Sequence, residues 1–140
     1  MKRSDLDTWI DWPAVMAAPR YSGGHDDVMT SIFKPPARVI ASWVEDDYQG
    51  DEAFAYLFPD GTVAILTDYF GSCGGCDSWE DATDADAREM VRALVHSARL
   101  KPSIDAALVY CAEEIDDASE YPMRAAANLV NPLRALAAAA

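Results

Sequence analysis

The stretch of this chain whose residue types and spacing best suit chemistry is Asp68-Tyr69-Phe70-Gly71-Ser72-Cys73-Gly74-Gly75-Cys76-Asp77-Ser78-Trp79-Glu80. It places a Cys-x-x-Cys pair after an expected strand and before an expected short helix. Free N–H groups at a helix start favour the thiolate, so disulfide exchange is one chemistry such a pair can perform. Two features oppose it. The preceding strands are hairpin-linked rather than parallel, and Asp68, Asp77, Glu80 and Asp81 raise a nearby thiol pKa by like-charge repulsion.

Zinc is the second chemistry. Cys73 and Cys76 make a good half-site, but a structural zinc normally takes four ligands. Cys111, His96 and His25 are the other candidates, and the acidic flank admits a mixed Cys/Asp set. Cys111 falls on an apolar helix stripe, where a free cysteine usually serves as a small buried hydrophobe. The plain alternative is structural, with Gly71, Gly74 and Gly75 reversing the chain and both cysteines packing beneath the turn. Asp81, Asp84 and Asp86 roughly resemble a calcium loop but lack its central Gly and closing Glu. No nucleophile motif flanks either histidine, so no catalytic constellation assembles.

Charge gives the other lead. The 140 residues carry 11 Lys plus Arg against 24 Asp plus Glu, a net charge of −13. Between Arg38 and Arg88 there is no base, while 12 acids fall there. That belt includes Glu45, Asp46, Asp47, Asp51, Glu52, Asp77, Glu80, Asp81, Asp84 and Asp86. Its two readings are a solvated surface that aids solubility and a surface presented to a basic partner, in sharpest form a mimic of nucleic-acid phosphates. Direct binding to nucleic acid or an anionic membrane is disfavoured, because that affinity comes from Lys and Arg. Arg88, Arg92, His96 and Arg99 step by four, four and three, so one helix face is expected to carry them. Such a row is solvated, neutralises carboxylates of the same chain, or receives an acidic partner.

The positioning elements follow from periodicity. The composition, 51% hydrophobic and 25% charged, is that of one globular domain. Its three expected parts are an N-terminal helix and loop (1–36), a β-meander (37–70), and the Cys-x-x-Cys turn with helices (71–140). Ser4 is the expected first N-cap, with Pro13 interrupting the helix and a loop over 19–36. Strands are expected over 38–45, 52–58 and 62–70, with Pro59-Asp60-Gly61 as a hairpin turn. Apolar residues on both strand faces call for cover on both sides. Thr83 to Asp86 resembles a capping box, opening a helix expected to reach Leu100. Ile104, Ala107, Leu108, Cys111 and Ile115 mark the next helix. Met123, Ala126, Ala127 and Val130 are the expected inward side of the last segment. The fold class is α+β, a small antiparallel sheet packed with three to four helices. No apolar run approaches membrane length and no signal-peptide core follows the first residues, so a cytoplasmic protein is expected.

The string from Tyr69 to Asp77 resembles a Tyr-aromatic-Gly-Ser-Cys-x-x-Cys-Asp motif in small uncharacterised proteins of bacteria and their phages. The wider pattern extends over 37–100. The resemblance implies a self-contained domain and a phage or mobile-element origin, and it brings no activity or residue roles. The functional expectation is a small acidic interaction protein, with a zinc-stabilised or thiol-redox domain as the alternative.

Overall fold

A computed structural model describes residues 1–19, 26–45, 50–70, 82–116, 118–119 and 123–139. Four strands form one antiparallel sheet in the order β1 (Arg38–Val44), β2 (Gly50–Leu57), β3 (Val63–Phe70), β4 (Arg99–Lys101). The helices are α1 (Leu6–Trp9), α2 (Trp12–Ala17), α3 (Asp26–Met29), α4 (Asp84–Ser97), α5 (Ile104–Val109) and α6 (Val130–Ala139). A π-helical turn over Tyr110–Glu114 and a 3-10 segment over Met123–Leu129 complete the C-terminal part. The fold is therefore α+β, as the periodicity indicates.

Period-two alternation divides the sheet between two cores. Phe54, Tyr56, Ala64 and Leu66 face a layer built by the N-terminal residues and α4. Ala53, Ala55, Val63 and Ile65 face the C-terminal layer, with Cys111, Met123, Ala126, Leu129 and Leu133. Both faces are covered, so the sheet is the middle of three layers. The Pro59-Asp60-Gly61 turn forms as expected, and Gly61 supplies φ +91°, a value that favours glycine.

The departures from expectation have identifiable causes. The helix after Thr83 ends at Ser97, and Arg99–Lys101 instead pairs with Val63–Ile65. A strand of three residues has too little periodicity to declare itself. Pro13 opens α2 behind its N-cap Asp11, whose carboxylate accepts the Ala14 N–H at 3.2 Å. Missing an N–H, proline suits a first helical turn. The true break comes at Ile10, which bridges to Phe33. Within the expected loop, Val28, Met29, Ile32 and Phe33 are core residues.

The capping box of α4 is present. Thr83 Oγ1 accepts from the Asp86 N–H at 3.1 Å, and the Asp86 carboxylate accepts from the Thr83 N–H at 3.4 Å. Thr83→Ala is expected to lower unfolding free energy by about 1 kcal/mol, measurable by urea denaturation. An unchanged midpoint would show that α4 is seated by its apolar face alone.

Candidate functional site: an acidic pole

Strand register gathers part of the acidic belt at one end of the molecule. Val44 pairs with Glu52, Gly50 with Phe70, Asp51 with Tyr69 and Glu52 with Asp68. The end of β1, the start of β2 and the end of β3 therefore coincide. Helix α4 leads into β4, which pairs with the opposite end of β3. The first turn of α4 carries Asp84 and Asp86. Asp84 and Asp86 are exposed, while Glu45 and Asp51 are half-buried.

The described carboxylates differ in what they do. Glu45 closes the β1–β2 connection: its N–H donates to Asp51 O at 3.0 Å, and its Oε2 accepts from the Asp51 N–H at 2.9 Å. Its side chain crosses so near Gly50 that a Cβ there would overlap the carboxylate. Asp86 both caps α4 and faces solvent. Glu52 is corrected from surface residue to interior one, at 0% exposure on the Phe54 and Tyr56 face. Alternation along β2 turns it inward, away from any surface a second protein could touch. Asp60, a further belt acid, sits at the opposite pole in the β2–β3 turn. There the α-amino group of Met1 at 2.9 Å and the Thr62 N–H hold its carboxyl down at about 2.

His25, Asp46, Asp47, Cys73, Cys76, Asp77, Glu80 and Asp81 lie outside the described residues. The other thiol and imidazole proposed for zinc stand apart. Cys111 is buried in the C-terminal layer, where desolvation pushes its thiol up to about 11. His96 is exposed on α4 across the sheet, 3.6 Å from the Asp7 carboxylate. They do not form one donor set. Among the described residues no cluster of three or more His, Cys, Asp or Glu is arranged for a metal.

The basic row also divides. Arg99 has left the helix for β4, and its Nη1 donates to Ser97 O at 3.1 Å. Arg88 and Arg92 are exposed and set their guanidinium carbons 5.2 and 5.1 Å from the centroid of the Trp12 ring. The i, i+4 spacing makes that pair legible, but Trp12 lies 76 positions before Arg88 in the chain, beyond local periodicity.

Two cavities flank these surfaces. One of about 350 Å³ at the acidic end is lined by Trp43, Glu45, Asp51, Arg124, Ala125 and Asn128. A larger one of about 610 Å³ lies at the opposite end, bounded by apolar residues including Leu57, Ile104 and Leu136. Among the described residues Asp105 is its only charged wall. Among the described residues no helix is long and apolar enough to cross a membrane. Comparison with protein-family models, with curated proteins and with solved structures returns no match to this chain.

Proposed function

We propose that this chain is a non-enzymatic interaction protein whose acidic pole engages a basic partner. A partner that itself binds nucleic acid, and is inhibited by losing that surface, is the sharpest form. The supporting observation is that strand register brings Glu45 and Asp51 to one end of the sheet, while Asp84 and Asp86 are exposed on the first turn of α4. Carboxylates set near one another create a potential that steers a basic protein and raises its association rate.

A photo-crosslinker at Tyr69, which is 37% exposed on β3 at this end, reports occupancy of the pole. The expected adduct is a basic protein. Its yield should fall about tenfold in Asp51→Lys/Asp84→Lys and on raising salt from about 50 to 300 mM, while Asp105→Lys at the opposite pole leaves it unchanged. Equal yield from the double variant and the parent would remove the acidic pole as the docking surface. Glu52 is left out of the charge reversal, since a change at a buried site perturbs the core.

A further inference from the structure

The Trp12, Arg88 and Arg92 cluster follows the acidic first turn of α4 and has chemistry of the opposite sign. Helix geometry puts Asp84, Arg88 and Arg92 in one row at i, i+4 and i+8. Arg88 and Arg92 stand about 6 and 12 Å along the axis from Asp84. Like charges four apart repel slightly, and an acid-rich chain offers many ways to neutralise them. Among the described residues, however, neither guanidinium is in an ion pair. Both are stacked on Trp12 instead. Trp12 is itself packed against the N-terminal core, so the indole is a fixed platform. A guanidinium has five N–H donors, so contact with one ring leaves donors to offer an anion in a forked contact.

We infer that Arg88 and Arg92, held on Trp12, receive a carboxylate of the protein partner whose basic surface meets the acidic pole. This rests on the acidic-pole reading and adds a second, oppositely charged contact that fixes the partner's orientation. A protein carrying both signs fits this row. A nucleic acid does not, because a polyanion has no basic surface to meet the acidic pole and is repelled by the chain's net charge of −13. Electrostatic matching of this kind sets register and rejects wrong partners more than it adds affinity.

The test uses the full chain and three probes: a hexalysine peptide extended by Gly-Gly-Gln-Gln, the same peptide extended by Gly-Gly-Glu-Glu, and a short single-stranded DNA. Binding is measured by anisotropy, and the Nε–H resonances of Arg88 and Arg92 are followed by NMR. The glutamate peptide is expected to bind about three- to tenfold tighter than the glutamine peptide and to shift both arginine resonances. Arg88→Gln/Arg92→Gln should erase that difference, with the glutamine peptide bound as tightly as by the parent or somewhat tighter, because two charges that repel hexalysine are gone. Both side chains are exposed, so the variant keeps its core. Equal affinity of the two peptides, with the arginine resonances unmoved, overturns the inference and leaves the acidic pole standing. Failure of the glutamine peptide to bind at all removes the pole reading and this inference with it. DNA that shifts the arginine resonances at lower concentration than the glutamate peptide overturns the inference in favour of nucleic acid.

Discussion

Leu129→Ala is expected to lower unfolding free energy by about 2–5 kcal/mol, with Val130→Ala costing about 1 kcal/mol or less. The contrast follows from the helix type before α6. An α-helical period across this segment predicts Met123, Ala126, Ala127 and Val130 inward. In the structure residues Met123–Leu129 form a 3-10 helix, whose three residues per turn bring Met123, Ala126 and Leu129 to one side. Those three are buried at 6%, 0% and 0%, whereas Ala127 is exposed and Val130 only half-buried. The segment lies over the alanine face of β2, where Ala53 and Ala55 permit close approach. Removing the Leu129 side chain leaves a cavity between that face and the C-terminal layer. Urea denaturation of both variants decides the matter. A shifted midpoint at unchanged slope for Leu129→Ala alone supports the 3-10 register. Equal losses from the two variants would mean the segment is α-helical in solution.

Local rules captured what local forces determine. The three hairpin-linked strands, the Gly61 turn and the Thr83 capping box each depend on residues within a few positions of one another, and each formed as expected. Arg99–Lys101 depends instead on a pairing with Val63–Ile65, more than thirty positions away. The N-terminal segment escaped for a similar reason. Val28 to Phe33 shows no regular period, because turns and a bridge to Ile10 aim its side chains, not a continuous helix. The acidic belt was legible as composition, but composition treats all its carboxylates alike. Register distinguishes them, sending Glu52 into the core and Asp60 to the far pole while keeping Asp51 at the acidic end. The Arg88 and Arg92 pair was visible as a spacing, while its partner Trp12 came only from the packing of α2 beside α4.

Tyr56→Phe is expected to cost about 1–3 kcal/mol at neutral pH, a large effect for the loss of one oxygen. Tyr56 is 1% exposed on the central strand β2, and its hydroxyl serves two backbone groups of the irregular N-terminal segment. It donates to Met29 O at 2.6 Å and accepts the Ile32 N–H at 3.3 Å. The ring of Phe33 stands edge-on to it at 4.9 Å, and Phe33 in turn meets Phe58 at 5.1 Å. The phenol thus fastens a stretch without regular structure to the sheet. Phenylalanine keeps the ring contacts but strands a buried carbonyl and a buried N–H. Alkaline pH supplies an independent check. Desolvation lifts the Tyr56 hydroxyl from 10.0 to about 12. Above pH 10 the unfolded chain ionises this tyrosine while the folded chain does not. The contribution is therefore full below pH 10 and is lost as pH rises towards 12, by roughly 2–3 kcal/mol. The phenylalanine variant lacks that component, so the stability gap between parent and variant should narrow over this window. Faster hydrogen exchange at the Ile32 amide should accompany the change at neutral pH. A gap that stays constant up to pH 12, with Ile32 exchange unchanged, would show that the hydroxyl does not hold the N-terminal layer in place.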